Sequence, residues 1–67
     1  MHVGYEVYYL GKGIGEKKWG VIARFSLSQE DEAVEMVNLL KSGEIITSKF
    51  GWLDPEKYDF GYKEAWW

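Results

Sequence analysis

Apolar and polar residues alternate with a period of two in several stretches of this chain, and that period predicts β-strands. Two of the stretches, residues 3–10 and 18–26, are also rich in β-branched and aromatic side chains. A glycine-rich and charged segment separates them, as in a β-hairpin. The same alternation over residues 58–66 predicts a strand at the end of the chain.

The pattern changes to a helical period over residues 28–41, where we predict one amphipathic helix. Ser28 is the expected N-cap, with Asp31 completing a variant of the capping box. Gly43 suits the left-handed position that follows a helix. The core-facing stripe consists of Ala33, Met36, Val37 and Leu40.

Residues 44–50 are predicted to form a further strand, and Asp54-Pro55 is typical of a type I turn before the last one. Residues 1–67 then make a single small α+β domain of order ββαββ. Its mostly antiparallel sheet of three to four strands carries one helix on one face. In length and element order the chain resembles the β-grasp arrangement of small immunoglobulin-binding bacterial domains, a likeness that informs the fold alone.

One helix covers one face of such a sheet and leaves the other face free. The more apolar positions of the first two strands are expected against the helix: Val3, Tyr5, Val7, Trp19, Val21 and Phe25. The opposite face is expected to carry Tyr8, Leu10, Ile22 and Arg24. One of Ile45 and Ile46 is expected to join it, since neighbouring strand residues point to opposite faces.

The chain has more large apolar side chains than one helix can cover, and exposed apolar patches tend to mark interaction sites. Trp, Tyr and Arg are also the residue types enriched in binding hot spots. The candidate partner-binding residues are Tyr8, Ile22, Arg24, Trp52, Trp66 and Trp67. Three interpretations stay open: the tail folds over the sheet and these residues are core, they form a dimer interface, or they bind a different protein.

Composition restricts the chemistry. The 67 residues include no cysteine and one histidine, which excludes a disulfide and a histidine-built zinc site. A chain this short needs additional stabilisation, and its twelve aromatic residues (Trp 4, Tyr 5, Phe 3) favour aromatic packing and a homodimer. No leader sequence or membrane-length apolar run is present, so we expect a cytoplasmic protein without a membrane partner.

The net charge of −3 argues against a protein built to hold phosphate backbones. The segment 11–15 has three glycines, but a strand follows it where a dinucleotide fingerprint needs a helix, so we interpret it as a hairpin tip. The helix carries the acidic cluster Glu30, Asp31, Glu32 and Glu35. Helix-dipole complementarity explains most of it, and presentation to a basic protein surface is the alternative.

No carboxylate pair or nucleophile with a base is arranged for catalysis, and the small size leaves little room for a ligand pocket. We therefore expect no enzyme activity and no cofactor. A single-stranded nucleic acid could instead stack on an aromatic sheet face. The residues available for such a platform are Tyr8, Arg24, Lys49 and Lys63.

These observations favour a non-catalytic protein-binding module that occludes a larger partner through an aromatic sheet face and the C-terminal tail. Its size and acidic balance are similar to those of small phage inhibitors such as the uracil-DNA glycosylase inhibitors, which share a ββαβ element order. That similarity implies an inhibitor from a phage or another mobile element. The alternatives are a nucleic-acid-binding accessory protein and a homo-oligomeric structural subunit.

Overall fold

The computed structural model describes residues 2–13 and 19–67. Over these residues an antiparallel sheet packs on one side against a helix, which confirms the predicted α+β class. The predicted glycine-rich hairpin tip falls largely on residues 14–18 and lies outside the described ranges. The elements are β1 (Val3–Gly11), β2 (Trp19–Ser26), a 3₁₀ turn (Leu27–Gln29), α1 (Glu30–Ser42) and β3 (Tyr58–Trp66).

The sheet has the order β2-β1-β3, so the first strand is central and the last strand is an edge. Pairing between β1 and β3 is regular from Val3 opposite Trp66 to Gly11 opposite Tyr58. Pairing between β1 and β2 contains a β-bulge: Val7 lies opposite Ala23, whereas the next residue, Tyr8, lies opposite Val21. Ile22 is the extra residue. The side chains that precede it therefore lie on the opposite face from the one that alternation from the following residues would give them.

The predicted helix is confirmed, with a different start. The backbone N–H of Ser26 donates to Gln29 Oε1 at 3.0 Å, so the capping contact begins two residues before the expected N-cap, Ser28. That contact belongs to the 3₁₀ turn, which feeds directly into α1. The predicted left-handed residue is confirmed, because Gly43 has φ 75° and its N–H donates to Leu40 O.

The strand predicted at residues 44–50 is wrong. This segment is a loop closed by paired backbone hydrogen bonds between Thr47 and Gly51, at 3.0 and 3.1 Å. The buried Thr47 hydroxyl accepts from the N–H of Phe50 at 2.9 Å and donates to Gly51 O at 2.7 Å. A side chain that folds back on its own backbone in this way competes with the sheet. The ββαββ order therefore becomes ββαβ over the described residues.

The core lies between the sheet and α1. Its buried apolar side chains come from β1, α1, β3 and the loop before β3: Val7, Ala33, Val37, Leu40, Leu53 and Phe60. Ile45 packs against this cluster, whereas Ile46 is 74% exposed on the loop, so neither isoleucine joins the free sheet face. Among the described residues, α1 is too short and too polar to cross a membrane.

Candidate interaction surface

The sheet face opposite α1 is not covered by any element of the described chain. We call it the open face. The registers of the two strand pairs place on it Glu6, Tyr8 and Leu10 of β1, Trp19, Val21 and Arg24 of β2, and Lys63, Ala65 and Trp67 at and after β3.

The β-bulge decides which residues of β2 reach this face. Trp19 and Val21 were expected against the helix, but they lie opposite Leu10 and Tyr8 and therefore share the open face with them. Ile22, expected on the open face, packs against the core cluster. An isolated glycine within a strand pattern can indicate a bulge, and Gly20 is the one local sign in the sequence that the residues of β2 change faces.

Trp19 and Tyr8 flank a lysine at one end of the open face. Lys63 Nζ lies 5.6 Å from the ring centroid of Trp19 and 5.9 Å from that of Tyr8, within the range of cation–π attraction. Together with Leu10 these side chains line an open groove of about 250 Å³. Gly61 leaves space for the ring of Tyr8, because a Cβ there would stand 2.7 Å from Tyr8 Oη.

Trp67 occupies the other end of the open face. The tail is docked, because His2 and Trp67 exchange backbone hydrogen bonds of 2.7 and 3.0 Å. The indole lies over Gly4, where an added Cβ would be 2.5 Å from Trp67 Cη2. The guanidinium of Arg24 is 5.3 Å from the indole centroid.

Arg24 also neutralises a buried acid in the centre of the open face. Its Nε donates to Glu6 Oε2 at 2.9 Å, and Glu6 is only 8% exposed whereas Arg24 is half exposed. A buried carboxylate is tolerated when it is paired in this way. Lys63 and Asp59 are the other two charged residues of the face, so its formal charges balance.

The six predicted partner-binding residues are thus divided. Tyr8, Arg24 and Trp67 all lie on the open face, with Tyr8 at one end and Trp67 at the other. Trp66 points to the other side of β3, and Trp52 lies at the end of α1, where its Nε1 donates to Gly43 O at 3.2 Å. Sequence reasoning missed Trp19, which is 62% exposed.

The two sides of the domain differ in charge, because the acidic residues of the helix have no counterpart excess on the open face. The predicted acidic cluster of Glu30, Asp31, Glu32 and Glu35 lies exposed on α1, on the side of the sheet away from the open face. Three members of the predicted nucleic-acid platform are on the open face, and the fourth, Lys49, sits in the Thr47–Gly51 turn beside β2.

Glu30 links the acidic cluster to the sheet. The hydroxyl of Tyr62 donates to Glu30 Oε2 at 3.2 Å. This hydrogen bond and the negative charge of Glu30 raise the pKa of Tyr62 above 10.0. Desolvation and the same carboxylate raise the pKa of Tyr5 above 10.0.

Replacing Glu30 with Gln is expected to lower the pKa of Tyr62 towards 10.0, because the carboxylate that favours the neutral phenol is gone. A raised pKa in the folded state stabilises the fold below about pH 10 and loses that contribution as the pH rises towards the folded value. Tyrosine ring NMR titration measures the shift. Glu32→Gln is the control and should leave it unchanged; equal pKa values in wild type and Glu30→Gln would contradict the assignment.

Among residues 2–13 and 19–67, no group of three or more histidine, aspartate or glutamate side chains lies close enough together to hold a metal ion. The chain matches no protein-family model, no curated protein and no solved structure. The open face is the feature of the described chain with exposed aromatic and charged side chains arranged for contact.

Proposed function

We propose that this chain is a non-catalytic protein-binding module whose contact surface is the open face. The observation that carries the proposal is the exposure of Trp19 and Leu10, 62% and 44%, around a groove on a sheet face that no element within residues 2–13 and 19–67 covers. Indole rings at such positions are frequent binding hot spots, because they bury a large area at small entropic cost.

The groove has a suitable shape and charge for one projecting side chain of a partner. Tyr8 and Trp19 provide apolar walls, and Lys63 provides a cation at the rim. A partner segment with an apolar side chain next to a carboxylate would contact the aromatic walls with the first and Lys63 with the second. The docked tail adds Trp67 at the other end, so a partner can contact both ends of the face at once.

The biological form of the proposal is occlusion. A domain of 67 residues that covers a larger protein's surface blocks it without chemistry, as a compact inhibitor from a phage or another mobile element does. The exposed acidic residues of α1 then face away from the contact. Their negative charge repels other acidic surfaces from the complex. The cytoplasm is the compartment we propose for it, since the chain has no cysteine to be oxidised.

Nucleic-acid binding is the second candidate function, and one observation favours it. Cations lie over aromatic rings at both ends of the open face, Lys63 at Tyr8 and Arg24 at Trp67. Bases of a single strand could stack on such rings while phosphates meet the cations. The two functions differ in salt dependence, because phosphate contacts release counterions and weaken steeply as salt rises.

Capture from native lysate on the immobilised chain, with and without nuclease, tests the first function against the second. We expect a stoichiometric protein that survives nuclease and raised salt, and that is lost when the bait carries Trp19→Ala. Trp66→Ala is the matched control bait, because Trp66 is 65% exposed on the other side of the sheet. Recovery only of nucleic acid, or of proteins released by nuclease, would overturn the proposal in favour of the second function.

A further inference from the structure

The outer edge of β3 offers unpaired backbone groups. In an antiparallel pair, residues alternate between hydrogen-bonded and non-hydrogen-bonded positions. Trp67 exchanges hydrogen bonds with His2, and the N–H of Lys12 donates to Lys57 O, which fixes the phase of the alternation along β3. Even-numbered residues therefore turn their N–H and C=O outward: Tyr58, Phe60, Tyr62, Glu64 and Trp66. Of these groups, the N–H of Tyr58 already donates to Asp54 O at 3.0 Å.

The two edges of the sheet differ in how well they are protected. β2 is interrupted by the bulge at Ile22, and Lys49 lies beside its central residues. Bulges and lysines are the usual means by which proteins protect an edge strand. β3 runs for nine residues without a bulge or a proline, and its one lysine, Lys63, lies over Tyr8 and Trp19 of the open face. The less protected edge is thus that of β3.

We propose that β3 is the dimerisation strand of this protein, and that its partner is β3 of a second copy, antiparallel about a two-fold axis at Gly61. In this register Phe60 and Tyr62 of opposite copies occupy the hydrogen-bonded positions, as the outward phase of the even residues requires. The proposal does not depend on which partner the open face binds, although Lys63 at the rim of the groove takes part in both contacts.

The sequence of β3 is complementary to itself in this register. Asp59 lies opposite Lys63 of the second copy, and the symmetry repeats the pair. Both residues occupy non-hydrogen-bonded positions, where side chains of neighbouring strands come closest. In the monomer both are exposed. Asp59 has a 3.6 Å surface contact with Lys12, and Lys63 lies over the rings of Tyr8 and Trp19.

Other registers that satisfy the same hydrogen-bond phase are less favourable. A shift that puts the axis at Lys63 brings two lysines directly opposite each other, and like charges at such positions are destabilising. An axis at Tyr62 places Asp59 opposite Ala65 and Lys63 opposite Gly61, so both ion pairs are lost. Charge complementarity therefore selects the axis at Gly61.

The dimer joins both sheets into one and leaves the helices on the same side. An antiparallel pair with the axis normal to the sheet keeps equivalent faces together. The two open faces then form one continuous surface, with both copies of Lys63 near the dimer axis. A partner of the protein would meet twice the area that one copy presents.

Cysteine pairing tests the register directly, since the natural chain contains no cysteine. In the proposed dimer, Asp59→Cys of one copy faces Lys63→Cys of the other at a Cα separation of about 4.5 Å, within disulfide range. Mixing the two variants under mild oxidation should give a crosslinked heterodimer as the main product. Either variant alone should give no crosslink above background.

Sedimentation equilibrium provides a second measurement that needs no crosslink. Lys63→Asp should weaken the dimer about tenfold or more, because two carboxylates then face each other, and Asp59→Lys combined with Lys63→Asp should restore it. Lys49→Asp makes the same change of net charge in the loop beside β2, away from the β3 edge, and is the control. A wild-type monomer at millimolar concentration, a crosslink in Lys63→Cys alone, or a dimer indifferent to all charge changes would each overturn the proposal.

Discussion

Leu40→Ala is expected to destabilise the domain by about 2–5 kcal/mol, the usual cost of truncating a fully buried leucine. Leu40 is 1% exposed and lies in the last turns of α1, facing the core cluster. A domain of 67 residues has a total stability of about 3–10 kcal/mol, so this one change can unfold much of the population.

Urea denaturation followed by circular dichroism measures the effect of this change. Val34→Ala is the matched control, because Val34 is on the same helix and 37% exposed, and it should change stability by less than about 1 kcal/mol. If Leu40→Ala stayed within that same range, the position of the core between α1 and the sheet would be wrong.

Arg24→Ala is expected to cost about 1–3 kcal/mol at neutral pH, because it leaves the buried carboxylate of Glu6 without its charged donor. Loss of the contact between Arg24 and the indole of Trp67 adds to this and loosens the docked tail. The double variant with Glu6→Gln should be more stable than Arg24→Ala alone, since a neutral amide replaces the unpaired charge.

A double-mutant cycle on Glu6 and Arg24, measured by thermal or urea unfolding, gives the coupling between the two residues. A coupling near zero would show that the 2.9 Å hydrogen bond contributes nothing to stability and that the Glu6 carboxylate finds other partners. This result also decides how Arg24 variants are interpreted in binding experiments, because a loss of fold and a loss of contact would otherwise look alike.

Most of the architecture follows from the period of the apolar residues. The alternation at the start and end of the chain predicts β1 and β3, and the helical stripe predicts α1 to within two residues at each end. The predicted and observed elements agree because each element buries one face against the others. Local pattern and tertiary packing therefore select the same structure. The predicted strand at 44–50 failed because β-branched residues are equally compatible with a loop when a buried threonine satisfies the backbone.

The candidate site was harder to predict because it depends on face assignment. The single extra residue Ile22 reverses which side chains of β2 point at the helix, and a one-residue slip moves a whole set to the other face. Regular alternation therefore predicts Trp19 on the core side of the sheet, which the structure contradicts. In contrast, the pairing of β1 with β3 is regular at Tyr8, and Tyr8 lies on the face that the sequence predicts.

The two C-terminal tryptophans also show that local sequence does not determine which face of the sheet a side chain occupies. Trp66 and Trp67 are neighbours in the chain, and both were predicted to bind a partner together. Once the tail continues the strand geometry through its hydrogen bonds with His2, the two indoles must point to opposite sides of the sheet. Which of the two belongs with Tyr8 and Arg24 depends on long-range pairing with β1, which no local pattern reveals.

The most direct test of the open face is the affinity of the captured protein partner for two single variants, measured by isothermal titration calorimetry. Trp19→Ala and Trp66→Ala remove the same side chain at nearly equal exposure, 62% and 65%, from opposite sides of the sheet. We predict that Trp19→Ala weakens binding about 30-fold, the loss typical of a hot-spot residue, and that Trp66→Ala changes it less than about threefold. Equal losses, or a larger loss for Trp66→Ala, would contradict the assignment of the open face as the binding surface.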